Sequence, residues 1–296
     1  MLEVPVFSRT QDLPSLTVME ALAFGSEYLS RRGKSGAIES ELFVRHILGV
    51  SRTDLYSDPY RQLTPDQAAS LAGMLDRRKA DEPLQYITGM AAFRDIELQV
   101  GPGVLVPRPE TEILVSRALD EIATLAEPLV FDVGVGSGAI AISIALERPD
   151  AKILAVELSS EAMVWAKRNI ASSGAVNIEL LEGDLFAAFP TELIGSVDLI
   201  VANPPYLSLS ELKACDADVR DHEPEVAILS GPTGLEVPGR LIVEALQWLR
   251  PKGMLLMETS PNQASKVRAM MGSHYRDVQL HLDLTGKQRL LEGRRP

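Results

Sequence analysis

Leu129-Val130-Phe131-Asp132-Val133-Gly134-Val135-Gly136-Ser137-Gly138-Ala139-Ile140 carries a short apolar run into three alternating glycines and then into a stretch of helical character with Ile142 and Ile144. A strand that turns through glycines into a helix opens a β-α-β unit, and the glycines let a ligand approach the backbone where a side chain would block it. The spacing is Gly-x-Gly-x-Gly, not the Gly-x-Gly-x-x-Gly of dinucleotide sites, so a nicotinamide or flavin is not the natural match. A tight turn that only packs helix against strand is the plain alternative.

Downstream of this turn, apolar strands are expected at 153–156, 178–181, Val197–Ala202 and 254–257, with helical stretches between most of them. Continuous apolar strands separated by helices imply a parallel sheet covered on both faces, and right-handed crossovers make it doubly wound. Segments 275–280 and 287–291, with Thr285-Gly286 between them, read as a closing hairpin.

Upstream, residues 17 to 80 show apolar residues at helical spacing, as in Leu22, Ser26 and Leu29, then Ile38, Leu42 and Ile47, with Gly33, Gly36 and Gly49 as breaks. Thr64-Pro65-Asp66-Gln67 combines a cap, a first-turn proline and a capping-box Gln, which would turn Leu71 and Leu75 into a helical bundle. Phe93, Ile96, Leu98 and Val100 alternate between glycines and read as a β-hairpin. The expected organisation is a loose leader at 1–15, a helical substrate-recognition domain at 16–82, a β-hairpin linker at 83–108 and an α/β domain at 109–296. The fold class is α/β, with a Rossmann-like, mainly parallel sheet and an N-terminal helical bundle.

The net charge of −12 and pI near 4.9 disfavour tight sequence-independent binding to nucleic acid, which needs cations to release counterions. Cys215 is the single cysteine, so an internal disulfide and a multi-cysteine zinc site are excluded, as suits a reducing compartment. His46, His222, His274 and His281 lack metal-ligand spacing, and no metal is expected. No apolar stretch reaches membrane-spanning length, so no membrane partner is expected and the cytoplasm is the default. A monomer is the expected state.

Site chemistry gathers at strand ends. Glu157 lies 19 residues beyond Gly138, where a carboxylate can accept both hydroxyls of a ribose, though an exposed strand-end carboxylate is the bland alternative. Asp184 could accept from an adenine amino group while Leu185 covers the ring. Three successive strand ends thus offer a nucleoside site at the switch point of the sheet, and no phosphate cradle with Lys-Ser/Thr accompanies it. The fourth strand delivers Asn203-Pro204-Pro205-Tyr206, a stiff, extended segment. Asn203 can accept one N–H of a planar nitrogen through its side-chain oxygen, and the Pro204 carbonyl can accept the other. Tyr206 offers an aromatic face for a flat group. Together these features suit methyl transfer from S-adenosylmethionine to an amide or exocyclic amine, by positioning and desolvation rather than by a strong base. A strand-terminating turn is the simpler account of the four residues.

The chain resembles the HemK/PrmC family of peptide chain release factor glutamine N5-methyltransferases over residues 17 to 293. The resemblance rests on Glu82-Pro83-Leu84-Gln85-Tyr86-Ile87-Thr88-Gly89, on Val104-Leu105-Val106-Pro107-Arg108-Pro109-Glu110-Thr111-Glu112, on the glycine turn, on Asn203 to Tyr206, and on Val219-Arg220-Asp221-His222-Glu223-Pro224. It implies a class I methyltransferase domain joined by a hairpin to a helical domain. It also implies, as substrate, the Gln of the Gly-Gly-Gln tip of class 1 release factors, with S-adenosylhomocysteine as second product. By motif, Asp132, Gly134, Val135, Gly136, Ser137, Gly138, Glu157, Asp184, Leu185 and Asn203 would bind the cofactor. Asn203, Pro204, Pro205 and Tyr206 would hold the glutamine, with Asn203, Pro204 and Tyr206 as catalytic residues.

Val135 stands where the family commonly has Thr, Glu157 where Asp is more frequent, and Leu185 where an aromatic is often found. The segment Glu258-Thr259-Ser260-Pro261-Asn262-Gln263 lacks a usual glycine. Three alternatives remain: a methyltransferase for a ribosomal-protein glutamine, one for an exocyclic amine of a nucleic-acid base, and a non-catalytic binding module on the same fold.

Overall fold

The computed structural model describes residues 16–30 and 36–296, so the expected leader at 1–15 and the break at Gly33 lie outside the described residues. The chain divides into two compact units, Met1–Gly89 and Met90–Pro296.

In the first unit, helices α1 (Val18–Ser30), α2 (Gly36–Leu48), α3 (Arg52–Ser57), α4 (Pro65–Lys79) and α5 (Leu84–Thr88) enclose a core that includes Phe24, Phe43, Leu71 and Leu75. The capping box at α4 forms as its sequence requires. The Thr64 hydroxyl accepts from the Gln67 N–H at 3.2 Å, and the Gln67 side chain accepts from the Thr64 N–H at 2.9 Å.

The α2 face is corrected. Ile38 is 62% exposed and Leu42 is exposed too, while Gly36, Ser40, Phe43 and Val44 turn inward. The cause is the seam with α1. A Cβ at Gly25 would run into the Ser40 hydroxyl, and one at Gly36 into the Ser26 carbonyl, so the two backbones approach through small residues. That contact rotates α2 away from the stripe its larger residues suggest. Leu84–Thr88, within the stretch 83–108 expected as a β-hairpin linker, is helical instead, ending at Gly89 with φ of +75°.

The second unit opens with the hairpin β1 (Met90–Phe93) and β2 (Ile96–Gln99), in register Met90 to Gln99. Then follow α6 (Glu112–Ile122), β3 (Leu129–Val133), α7 (Ala139–Glu147), β4 (Lys152–Glu157), α8 (Ser160–Ser173), β5 (Ile178–Glu182) and β6 (Val197–Ala202). Past β6 the chain forms β7 (Leu207–Ser208), three short helices, α9 (Leu209–Ala214), α10 (Ala217–His222) and α11 (Glu225–Ile228), and β8 (Leu229–Gly231). It closes with α12 (Glu236–Trp248), β9 (Leu249–Glu258), α13 (Ala264–Gly272), β10 (Arg276–Leu282) and β11 (Gln288–Arg294).

The main sheet has seven strands in the order β10-β11-β9-β6-β3-β4-β5. β5, β4, β3, β6 and β9 run parallel, and β11 and β10 add an antiparallel edge. Central strands buried on both faces explain the apolar runs. Val130, Leu199 and Leu256 pack with α6 and α7 on one face, while Phe131, Ile200 and Leu255 pack with α12 and α13 on the other. Strand order reverses between β3 and β6, so their carboxyl ends border the crevice where ligands bind in such sheets.

Candidate active site

Two cavities open at those strand ends. The first, of about 290 Å³, is lined by Gly134, Gly136, Glu157, Asp184, Leu185 and Asn203 among others. Gly134 and Gly136 have φ of +82° and +55°, which side chains rarely adopt, and a Cβ at either position would meet nothing within 4 Å. Their missing side chains leave a clear cradle. Gly138 differs: a Cβ there would sit 2.8 Å from the Ile142 side chain, so its role is close helix packing.

Glu157 is held by the Gly136 N–H at 2.8 Å and the Ser159 N–H at 2.9 Å, one on each oxygen. Each oxygen keeps acceptor capacity, as a ribose diol requires. Asp184 pairs with Arg240 at 3.0 Å, a cation on the same wall that sequence reasoning did not single out. Leu185 is buried with φ of +48°, an uncommon backbone state that places a leucine on the cavity wall.

Asp132, Val135, Ser137 and Gly138 do not line this cavity. Val135 packs in the core, and the Ser137 carbonyl accepts from the Asn169 amide at 2.8 Å, so these residues brace the turn from behind. Asp132 is fully buried, with neither oxygen in a hydrogen bond of ordinary length. Burial pushes its pKa up to about 7, only partly opposed by the Ala141 N–H and reinforced by Glu157.

The second cavity, of about 390 Å³, is lined by Asn203, Tyr206, Arg108, Cys215 and Arg289 among others. Asn203 lines both cavities, with Leu105 and Ala227. Behind it lies a buried chain of hydrogen bonds. Asn203 Nδ2 donates to Thr111 Oγ1 at 3.3 Å, Thr111 Oγ1 donates to Glu258 Oε2 at 2.7 Å, and the Tyr206 hydroxyl donates to Glu258 Oε1 at 3.1 Å.

Burial pushes Glu258 up to about 7, with Glu110 adding to the rise while Thr111, Tyr206 and Arg289 oppose it. Burial and the adjacent Glu258 push the Tyr206 phenol well above its ordinary value, so it stays protonated. Arg108 pairs with Glu223, whose carboxylate also accepts from the Val106 N–H at 3.3 Å. Thr111, Glu258 and the Arg108–Glu223 pair went unassigned from sequence. The motifs 104–112 and 219–224 were the available signal for Thr111, Arg108 and Glu223, and the segment 258–263 for Glu258. Among the described residues, no cluster of His, Cys, Asp or Glu could hold a metal, and no helix is long and apolar enough to cross a membrane.

Among solved structures, a T. thermophilus 16S rRNA N2 G1207 methyltransferase with AdoMet and guanosine is similar over 70% of this chain and 50% of its own, with TM-score 0.53 and 18% identity. The catalytic domain of hMettl16 with a MAT2A 3'UTR hairpin is similar over 79% of this chain and 84% of its own, with TM-score 0.52 and 16% identity. The sheet order and glycine cradle define a class I methyltransferase, with S-adenosylmethionine as its cofactor.

The PrmC N-terminal domain pattern matches residues 20–89, and the methyltransferase small domain pattern matches 109–217. A release factor glutamine methyltransferase of Streptomyces coelicolor is 40% identical, covering 87% of this chain and 90% of its own length. One of Deinococcus radiodurans is 35% identical over 95% and 99%. The chain belongs to the release factor glutamine methyltransferase family.

Proposed function

We propose that this protein transfers a methyl group from S-adenosylmethionine to the side-chain nitrogen, N5, of the Gln in the Gly-Gly-Gln motif of class 1 peptide chain release factors. This would support translation termination in the cytoplasm. The observation that carries the reading is the position of Asn203, which lines two cavities, one with a glycine cradle and a held carboxylate and the other beside Tyr206. Placement supports the following roles. Gly134, Gly136, Glu157 and Leu185 hold the adenosyl moiety, and Asp184 does so as a pair with Arg240.

When bound, the cofactor supplies an electrophilic sulfonium methyl. Asn203 Oδ1 and the Pro204 carbonyl take the two amide N–H groups, and Tyr206 covers the flat amide face. An amide nitrogen is a weak nucleophile because its lone pair is delocalised. Holding both N–H groups and excluding water aim that lone pair at the methyl carbon; transfer would leave S-adenosylhomocysteine, and one of the two N–H protons held by Asn203 Oδ1 and the Pro204 carbonyl would be released to solvent. Positioning of this kind supplies up to about 7 to 11 kcal/mol of barrier reduction in ideal cases.

Asn203→Ala is expected to leave S-adenosylmethionine affinity within about threefold while turnover falls by roughly 100-fold or more, as when one key hydrogen-bond partner is removed from other active sites. Calorimetry reads the first quantity, and mass spectrometry of the tip glutamine reads the second. Unchanged turnover would defeat the assignment. Labelled methyl entering bare DNA or RNA, and not a release factor, would favour a nucleic-acid amine as substrate.

A further inference from the structure

We infer that Thr111 and Glu258 are positioning residues that fix which end of the Asn203 amide faces the substrate. The inference rests on the reading that Asn203 accepts an N–H of the substrate amide. An asparagine amide is nearly symmetric in shape, and the cavity wall alone does not choose between its oxygen and its nitrogen. Hydrogen-bond polarity does choose.

Ionised, as it is at about pH 8 and above, Glu258 accepts only, and it sits between two hydroxyls, Thr111 at 2.7 Å and Tyr206 at 3.1 Å. Thr111 has one hydroxyl proton. The short, charge-assisted bond to Glu258 takes it, leaving a lone pair toward Asn203 at 3.3 Å. That lone pair admits only the NH2 end of Asn203, so Oδ1 must point the other way. A flipped Asn203 would set its oxygen against the Thr111 oxygen, two acceptors with no proton between them. It would also present two donors to a substrate amide nitrogen that itself carries two N–H groups.

Glu258 is fully buried at the end of β9 and Thr111 is buried at the start of α6, so no solvent competes for the bond between them. The same carboxylate anchors Tyr206 directly. One acidic residue therefore orients both ends of Asn203 to Tyr206, and it selects glutamine, which offers N–H groups, against glutamate, which offers none.

The test measures this selection. At about pH 8, where Glu258 is ionised, the affinity of a release factor with its tip Gln is compared with that of the same factor carrying Gln→Glu, in the presence of S-adenosylhomocysteine, for the full-length protein and four variants. Thr111→Val keeps the shape and loses the hydroxyl, and Glu258→Met loses the acceptor. Each should lower the Gln-over-Glu preference by about tenfold or more, the scale of one buried hydrogen bond to a charged group. Thr111→Ser keeps the hydroxyl, and Glu258→Gln keeps one carbonyl oxygen to accept from Thr111 while its NH2 donates to the Tyr206 oxygen, so both should hold the preference to within about threefold, which is ~0.6 kcal/mol.

Thermal melting and S-adenosylhomocysteine binding identify any variant that has lost its fold, and either member of each pair then decides. A folded Thr111→Val or Glu258→Met protein with wild-type preference overturns the inference. So does an equal loss in the two conservative variants, because that marks a structural role alone. A wild-type enzyme that leaves the tip glutamine unmethylated instead sinks the functional reading, and this inference with it.

Discussion

Asp132 shows what one buried carboxylate does to stability. Its folded pKa is raised from 3.8 to about 7, chiefly by burial, so the folded state binds its proton more tightly than the unfolded chain does. Stability from this group is then fully present below about pH 4 and is lost as pH rises toward 7. Asp132→Asn removes the titration. In cofactor-free protein, the stability of the variant relative to wild type is expected to grow from pH 5 to pH 8 by about 2.6 kcal/mol, roughly two pKa units at 1.36 kcal/mol each. Thermal melts at the two pH values check this; the trend is the test, since the new amide brings an offset of its own, and a gap that shrinks with rising pH refutes it. Sequence placed Asp132 on the cofactor because it opens the glycine motif, yet its side chain lies behind the turn. A motif gives proximity along the chain, whereas side-chain direction depends on which face of β3 the residue occupies. Asn203 and Glu157 were legible because strand ends at a switch point face the crevice wherever the sheet forms. Thr111 and Glu258 were not, since they meet across 147 positions of chain.

At the scale of elements, local chemistry was readable where it was local. The start of α4 was set by Thr64 to Gln67, four adjacent residues whose side chains and backbone satisfy one another. Thr64→Ala is expected to destabilise the first unit by about 1 kcal/mol, as loss of a capping side chain commonly does, seen as a lower denaturation midpoint with an unchanged slope. A fall below a few tenths of a kcal/mol would mean that tertiary packing alone fixes this helix start. The inner face of α2 was misread for the opposite reason. Its orientation is decided by Gly25 on another helix, which no periodicity within α2 records. Strand β9 likewise runs from Leu249, five residues before the apolar core at Met254, because Arg250 to Gly253 extend it with polar character. The short helices α9 to α11 carry too few residues for a period to show.

The whole molecule is two bodies, each with its own buried core. The first draws on residues from Leu16 to Ile87, and the second on two layers from Phe93 to Leu291 on either face of one sheet. The alternation of strand and helix was enough to foresee a parallel sheet, because continuous apolar strands need cover on both faces, and right-handed crossovers with five such strands suit an open, doubly wound sheet. Every residue lining the two cavities lies beyond Met90. The second unit should therefore fold and bind the cofactor without the first. Residues 90–296 expressed alone are expected to unfold in one cooperative transition and to bind S-adenosylmethionine within about threefold of the full chain, ~0.6 kcal/mol. If the helical unit serves recognition, as its sequence suggested, the same fragment should methylate an intact release factor far more slowly while its cofactor affinity holds. Calorimetry and mass spectrometry on one preparation separate the two effects. A fragment that binds the cofactor and methylates the release factor at the full chain's rate would remove the helical unit from substrate recognition, and one that fails to bind the cofactor would show that the α/β core depends on the helical unit.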